Sequence, residues 1–175
     1  MKFEIRRVED ADLPALTKIY NHYVLNTNAT FDVEPFSVEQ RKVWLTQFNN
    51  PRHQCWVACD TTKEPRHCIA YACSLPFKVK KAYELSVEAS IYLHPDYGNM
   101  GLGTLLYQKL FGELSETDVH RCYAGIAIPN AASIRLHKRF GFTKAGHYKE
   151  AGWKFRQFWD VIWMEKEIQN AQAGQ

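Results

Sequence analysis

The spacing of apolar residues changes along the chain between a strand-like period of two and a helix-like period of about 3.6. Alternation or short apolar runs predict strands at residues 3–8, 54–59, 68–75, 84–93, 122–128, 144–150 and 155–165. The polar segment 61–67 connects the second and third strands as a hairpin, and Gly152 is expected to form the turn between the last two.

Apolar residues at helical spacing predict four helices between these strands. The first begins at Asp10 or Asp12, and the second begins at an S-x-x-Q capping box that starts at Ser37. The third begins at Gly101, and the fourth opens after Asn130. The side chains expected to face inward are Leu16, Ile19, Tyr20 and Tyr23 in the first helix, Val43, Trp44 and Phe48 in the second, and Leu102, Leu105, Leu106, Leu110 and Phe111 in the third.

The elements follow one another in the order β-α-α-β-β-β-α-β-α-β-β. This order predicts an α/β fold with a mixed sheet and helices on both faces. A chain of 175 residues can bury a substantial core and suits a single domain. No repeat or linker divides it, so we expect one domain at residues 1–170 and a frayed tail at residues 171–175.

The balance of charge argues against nucleic acid as a partner. The chain has 22 Lys and Arg against 19 Asp and Glu, a formal net charge of +3, whereas nucleic-acid-binding proteins usually carry a strong basic excess. The first ten residues are charged where a signal peptide would be apolar. No apolar run approaches the roughly 18 residues that cross a membrane. We therefore expect a soluble, cytoplasmic protein that binds neither nucleic acid nor a membrane.

The cysteines lie in apolar, strand-like stretches, and no pair has the C-x-x-C spacing of a redox or zinc motif. Packed, reduced thiols explain this pattern. We therefore expect no bound metal, with a zinc site or a nucleophilic cysteine as the alternative. The five residues are Cys55, Cys59, Cys68, Cys73 and Cys122.

A glycine-rich segment, residues 98–104, lies between the fourth predicted strand and the third helix. The first turn of a helix leaves backbone N–H groups without partners, and the helix dipole adds partial positive charge there. Glycines let a ligand approach the main chain closely. The spacing matches neither the Walker A motif nor G-x-G-x-x-G. The segment predicts a pyrophosphate site or, in the simpler interpretation, a turn that only starts a helix.

Two further sets of polar side chains occur on the predicted elements before and after this loop. Asn130, Ser133 and His137 share one face of the fourth helix. They form a binding wall unless Asn130 is only an N-cap and His137 a hydrogen-bonded core histidine. Alternation in the fourth predicted strand places Glu88 on the same face as Ser90. Glu88 is either a solvated glutamate or a functional carboxylate beside the loop.

Together these motifs resemble those of the GNAT superfamily of acetyltransferases. Ala89-Ser90-Ile91-Tyr92-Leu93, followed by Gly98-x-x-Gly101-x-Gly103, is similar to the acetyl-CoA signature of the family. Pro129-Asn130-x-x-Ser133-x-x-Leu136-His137-x-x-Phe140-Gly141-Phe142 is similar to the helix that follows it. From about residue 5 to 167 the chain looks like the phosphinothricin and methionine-sulfoximine N-acetyltransferase branch, with further matching stretches at residues 19–23, 29–31, 82–88 and 152–154.

The resemblance implies the GNAT fold, a twisted and mostly antiparallel mixed sheet whose parallel strands splay apart. Acetyl-CoA, the implied cosubstrate, would lie between the strand ending at Leu93 and the strand ending at Ile128. A main-chain N–H at Tyr92 or Leu93 would stabilise the oxyanion of the reaction. The residues expected to bind acetyl-CoA are Ile91, Tyr92, Leu93, Gly98, Asn99, Met100, Gly101, Leu102, Gly103, Thr104, Asn130 and Ser133.

The resemblance also implies the catalytic residues and the class of substrate. Glu88 matches the general base proposed for the family, and His137 stands where relatives carry His or Tyr near the thiol. Either side chain could act as the base. The acceptor would be a small, amino-acid-like amine such as phosphinothricin or methionine sulfoximine. The residues expected to bind it are Phe31, Lys78, Lys80 and Tyr83.

Two residues depart from the family's pattern. Gly98 stands where the loop usually begins with Arg or Gln, and Lys80 stands where relatives commonly carry Arg. Lysine is a point charge and cannot make the planar, two-pronged contact of arginine. The alternative functions are a protein or peptide N-acetyltransferase and a non-catalytic acyl-CoA sensor. Relatives are often homodimers, and we expect a homodimer here.

Overall fold

A mixed seven-stranded sheet runs through the molecule. A computed structural model describes residues 3–63 and 67–169, so the expected tail at 171–175 lies outside the described residues, as does part of the hairpin segment 61–67. The strands are β1 (Phe3–Arg7), β2 (Cys55–Asp60), β3 (His67–Pro76), β4 (Ser86–Leu93), β5 (Arg121–Ile128), β6 (Thr143–Lys154) and β7 (Gln157–Glu167). Their order across the sheet is β1-β2-β3-β4-β5-β7-β6.

In the part of the chain that the structure describes, four α-helices cover the two faces of this sheet. They are α1 (Leu13–Asn26), α2 (Val38–Leu45), α3 (Leu102–Leu114) and α4 (Ala131–Arg139). The α/β prediction, with its mixed sheet and this order of elements, is confirmed. Among the described residues, no helix has the length and apolar character that a membrane span requires.

Strand alternation divides the core into two layers. In β2, Trp56 and Ala58 face a cluster that includes the buried side of α3. Cys55 and Val57 point the other way, to a cluster with Leu16 of α1. All five cysteines are buried and free, as the sequence predicts.

Two side chains expected inside are exposed instead. Val43 of α2 is 71% exposed and Leu105 of α3 is 41% exposed, so both inward predictions are wrong. The buried stripe of α3 follows Leu102, Leu106 and Leu110, four residues apart, and Leu105 lies beside it. Helical spacing alone marks an apolar sector, but the packing partner decides how much of that sector is covered.

The turn between β6 and β7 is formed by Phe155 and Arg156, with φ of 53° and 61°, so the prediction of Gly152 at the turn is wrong. Gly152 lies inside β6, where a Cβ atom would stand 2.2 Å from the ring of Phe31. Its missing side chain lets the loop between α1 and α2 pack on the strand. Lys154 fixes the same loop, because its Nζ donates to the carbonyl oxygen of Thr30 at 2.7 Å.

The strands β4 and β5 run parallel but remain paired only at their beginnings. The register joins Ser86 with Arg121 and ends where Glu88 meets Tyr123. Within the described residues, the remainder of β4, from Ala89 to Leu93, has no register partner in β5. This parting opens a cleft in the middle of the sheet.

We expect Gly152→Ala to lower the free energy of unfolding by about 1–3 kcal/mol, because the new methyl group must displace the ring of Phe31. Urea unfolding followed by circular dichroism measures this change. The matched control is Gly146→Ala, where the nearest atom would be 3.8 Å away. In a Phe31→Ala background the cost at position 152 should largely vanish, and equal costs in both backgrounds would refute the contact.

Candidate active site

The cleft between β4 and β5 holds a cavity of about 300 Å³. The two strands form its sides, and the beginning of α3, the helix α4 and Tyr23 of α1 complete it. Of the residues expected to bind acetyl-CoA, those that line this cavity are Ile91, Tyr92, Leu93, Gly98, Asn99, Gly103, Asn130 and Ser133. Met100, Gly101, Leu102 and Thr104 are not among its lining residues.

The hydrogen-bond pattern of β4 decides which main-chain groups face the cleft. The amide of His94 donates to the carbonyl oxygen of Ile69 at 2.7 Å. Paired and unpaired positions alternate along an antiparallel ladder. The amide of Tyr92 is therefore directed at β3, whereas the amides of Ile91 and Leu93 point into the cleft. Of the two candidate oxyanion donors, Leu93 has the required direction and Tyr92 does not.

Tyr23 closes one end of the cleft. Its hydroxyl donates to the carbonyl oxygen of Leu93 at 2.6 Å. Burial raises the pKa of Tyr23, so the phenol stays protonated and remains a donor. The carbonyl of Leu93 is thus satisfied, while its amide remains directed at the cavity.

The glycine segment turns sharply into α3. Gly101 has φ of 78° and forms the N-cap, and Asn99 before it has φ of 61°. The amide of Thr104 donates to the carbonyl oxygen of Gly101 at 3.0 Å, so it is satisfied inside the helix. Helix geometry leaves the amides of Leu102 and Gly103 without acceptors of their own. These are the amides available to an anion such as the pyrophosphate of acetyl-CoA.

Gly103 has a second role in packing. A Cβ atom at this position would lie 3.1 Å from Cδ2 of Leu136 on α4. The missing side chain therefore lets α3 and α4 approach each other across the mouth of the cleft. Orphan amides at the start of α3 and the unpaired edges of β4 and β5 together fit a ligand with a diphosphate at one end and an extended arm.

The polar face of α4 borders the same cavity. Oδ1 of Asn130 accepts a hydrogen bond from the amide of Ser133 at 3.1 Å, so Asn130 is an N-cap in addition to lining the cavity. His137 is buried and lies one turn after Ser133. The structure thus brings this helix face to the cleft, as its spacing predicts.

Both ring nitrogens of His137 are engaged inside the protein. Nδ1 lies 2.8 Å from the carbonyl oxygen of Ser133, which can only accept, so this nitrogen carries the proton. Nε2 lies 2.9 Å from the hydroxyl of Tyr107, which therefore donates. Burial lowers the pKa of His137, so the ring is neutral at pH 7. Tyr107 has no sequence signal that separates it from an ordinary core residue of α3.

Glu88 is partly buried on the face of β4 that also carries Ser90. Burial raises the pKa of its carboxyl group, and the positive charge of Lys78 acts in the opposite direction. Glu88 does not itself line the cavity, but Ser90, two positions further along the strand, does. The carboxyl group is thus shifted towards the pH range in which a general base works.

The expected substrate-binding residues lie in two places. Nζ of Lys78 is 4.8 Å from the ring centroid of Phe77, which is also 6.0 Å from the ring of Tyr83. Lys80 is exposed. Phe31 packs against Gly152 of β6. The structure therefore groups Lys78 with Tyr83 but does not place Phe31 in that group.

A second cavity, also of about 300 Å³, lies on the α1–α2 side of β4. It shares Ser90 and Tyr92 with the cavity in the cleft, so the two spaces meet at this strand. Arg41 of α2 and Asp32 of the preceding loop supply its charged groups. Sequence reasoning missed both residues, because each resembles an ordinary charged residue of a solvated surface.

One group of potential metal ligands occurs within residues 3–63 and 67–169, formed by Asp12, Cys59 and Cys68. Both carboxylate oxygens of Asp12 accept hydrogen bonds from Arg6, each at 2.7 Å. The guanidinium group thus already neutralises the carboxylate that a zinc ion would need. The geometry explains Asp12 as an ion-pair partner that holds β1 to the beginning of α1.

Comparison with known proteins gives matches over nearly the whole chain. The sequence model of one family, described as an acetyltransferase (GNAT) domain, matches residues 5–163. A phosphinothricin N-acetyltransferase from Streptomyces coelicolor is 46% identical over 94% of this chain and 96% of its own length. An L-methionine sulfoximine/L-methionine sulfone acetyltransferase from Salmonella typhimurium is 32% identical over 94% of each chain.

A solved structure resembles the whole architecture. It is a phosphinothricin acetyltransferase from Sinorhizobium meliloti in complex with AcCoA, with a TM-score of 0.90 and 30% identity. The match covers 100% of this chain and 93% of that one.

Arg139 of α4 offers a test of the anion site, because its Nη1 donates to Oγ1 of Thr104 at 3.1 Å in the first turn of α3. We expect Arg139→Ala to weaken the binding of coenzyme A about five-fold, since an exposed ion pair contributes up to about 1 kcal/mol. Titration calorimetry measures the Kd, and the effect should shrink as salt is added. Arg135→Ala, an exposed position on the same helix, is the control. Equal losses in the two variants would contradict the site.

Proposed function

The chain belongs to the GNAT acetyltransferases and uses acetyl-CoA, and we propose that it acetylates the primary amine of a small amino acid or amino-acid analogue. Phosphinothricin and methionine sulfoximine are the analogues named for its relatives. The observation that carries the proposal is the meeting of two cavities at Ser90 and Tyr92. One has the form of a site for acetyl-CoA, and the other has room for a small molecule.

Acetyl-CoA, when bound, supplies an acetyl thioester to the amine. Glu88 accepts the proton that an amino-acid ammonium must lose before it can attack, directly or through a water molecule. Burial raises its pKa, which makes the carboxylate a stronger base than an ordinary glutamate. The amide of Leu93 lies in the cleft as a fixed donor for developing negative charge. Holding both reactants at one strand raises the rate of acetyl transfer, because it keeps them close together and correctly oriented.

We propose His137 as the group that returns a proton to the coenzyme A sulfur. This requires that Nε2 first takes up a proton, because the neutral ring keeps its one proton on Nδ1, hydrogen-bonded to Ser133. His137 lines the cavity, and its neutral ring is oriented by Ser133 and Tyr107. Because Nε2 already accepts from Tyr107, its use as a base would require that hydrogen bond to be broken. Glu88 is therefore the first choice for the base and His137 the second.

Lys78 and Lys80 are proposed to attract the acid group of the substrate, with Tyr83 as a wall beside them. Lys78 has the stronger support, because its charge acts on Glu88. Phe31 is proposed to contribute indirectly, because its packing on Gly152 fixes the loop that carries Asp32.

A screen of coenzyme A thiol release tests the acceptor. The substrates are free amino acids, methionine sulfoximine, phosphinothricin, and a peptide that carries a free N-terminus and a lysine. We expect turnover with at least one free amino acid or analogue and none with the peptide. Turnover of the peptide alone would replace the proposal with a peptide N-acetyltransferase. Binding of coenzyme A without turnover of any amine would replace it with a sensor.

Substitutions of Glu88 and of the nearby Lys78 should change the activity and the pH dependence of kcat/KM. Activity requires the deprotonated carboxylate and is lost as pH falls through its pKa, so Glu88→Gln should lower kcat by about 10²–10⁴-fold. Lys78 lowers the pKa of Glu88, so Lys78→Met should move the acid limb to higher pH. Lys80→Met is the control and should leave the limb in place. An unchanged limb in Lys78→Met, or near-normal turnover in Glu88→Gln, would transfer the role to His137.

We also propose a homodimer in the cytoplasm. The β6–β7 hairpin exposes an aromatic surface, with Trp153 57% and Phe158 59% exposed and their ring centroids 4.7 Å apart. Exposed aromatic patches are typical of interfaces. Buried free thiols and the use of acetyl-CoA favour a reducing compartment. Light scattering at micromolar concentration, which should give twice the chain mass, tests the dimer.

A further inference from the structure

A buried arginine stands in the wall of the second cavity without a counter-ion. Arg41 of α2 is only 6% exposed. Among residues 3–63 and 67–169, no carboxylate oxygen lies within the 4.0 Å of an ion pair to its guanidinium group. Burying an uncompensated charge is costly, so such groups normally have a partner. An anionic ligand in the second cavity would supply that partner.

The contacts that Arg41 does make hold its guanidinium group against aromatic rings, which attract a cation but supply no negative charge to pair with it. The guanidinium carbon lies 3.8 Å from the ring centroid of Trp44 and 4.7 Å from that of Tyr20. One nitrogen, Nη2, donates a long hydrogen bond of 3.4 Å to the hydroxyl of Tyr71. Nε is buried with no acceptor among the described residues. The rings restrict the side chain, so the planar donor group is preorganised for an anion.

The cavity also carries one negative group, Asp32, which does not form an ion pair with Arg41. The carboxylate of Asp32 accepts a hydrogen bond from the hydroxyl of Tyr20, and that hydroxyl also contacts Oγ1 of Thr30 at 2.8 Å. With one positive and one negative group on its walls, the cavity suits a zwitterion better than a simple anion. A free α-amino acid has this distribution of charge.

We propose that Arg41 binds the acid group of the amino-acid substrate in the second cavity, which leaves the amine directed at Ser90 and the cleft. This inference rests on the proposed function and names the residue that recognises the acceptor. It differs from the assignment of the acid group to Lys78 and Lys80, because those side chains do not line the cavity. The acid group is an α-carboxylate in every amino acid and also a phosphinate in phosphinothricin.

The test compares acids with their carboxamides in the wild type and in Arg41→Met. In the wild type, KM should be about 10- to 100-fold higher for methionine sulfoximine carboxamide than for methionine sulfoximine, because a neutral amide cannot pair with the guanidinium. Arg41→Met should raise KM for the acid by a similar factor and make acid and amide nearly equal. Arg41→Lys should recover part of the preference, since it keeps the charge but loses the planar fork.

Three controls distinguish a loss of substrate recognition from a loss of folding or of coenzyme A binding. The Kd for coenzyme A, measured by calorimetry, should be unchanged in both Arg41 variants if they are folded. Lys42→Met, at the neighbouring exposed position that pairs with Glu39, should leave the preference intact. Should Arg41→Met fail to fold, Arg41→Lys and the wild-type comparison of acid with amide still decide the question.

The outcomes differ for each source of the anion. A loss for methionine sulfoximine assigns Arg41 to the α-carboxylate, whereas a loss confined to phosphinothricin assigns it to the phosphinate. An acid preference that survives in Arg41→Met for both substrates overturns the proposal while the function stands. Failure of the wild type to acetylate any amino acid overturns the proposed function and this inference with it.

Discussion

The parting of β4 from β5 after Glu88 is the constraint from which the rest of the site follows. A parallel pair normally continues its hydrogen bonds along both strands. Here the amides of Ile91 and Leu93 are left facing an opening in the middle of a sheet. Buried backbone groups require partners, so this opening is a place where a ligand with its own amides can replace a strand.

The same parting organises the two cavities. The cleft takes its far wall from α4 and its entrance from the first turn of α3, where orphan amides suit a diphosphate. The second cavity lies across β4, beneath α1 and α2, and meets the cleft at Ser90 and Tyr92. The cofactor space and the acceptor space thus share one strand as a wall, and Glu88 lies on that strand two residues before Ser90.

Much of this arrangement can be predicted from the sequence, because the patterns that indicate it involve residues close together in the chain. Strand periodicity, the glycine segment and the stripe on α4 each depend on neighbours in the chain. The role of Gly152 cannot be predicted from the sequence, because the ring that requires a glycine there belongs to Phe31, 121 positions away. Arg41 is hidden for the same reason: only the fold shows that a charged residue of a short helix is covered by aromatic rings. The exposure of Val43 and Leu105 likewise depends on distant packing.

Amide hydrogen exchange, followed residue by residue by NMR, tests the parted strand most directly. In the free protein the amides of Ile91 and Leu93 should exchange fast, while those of Ser90 and Tyr92, bonded to β3, exchange slowly. Saturating coenzyme A should slow exchange at Ile91 and Leu93 and leave the other two nearly unchanged. Protection that is equal at all four amides without ligand, or unaffected by coenzyme A, would contradict the account.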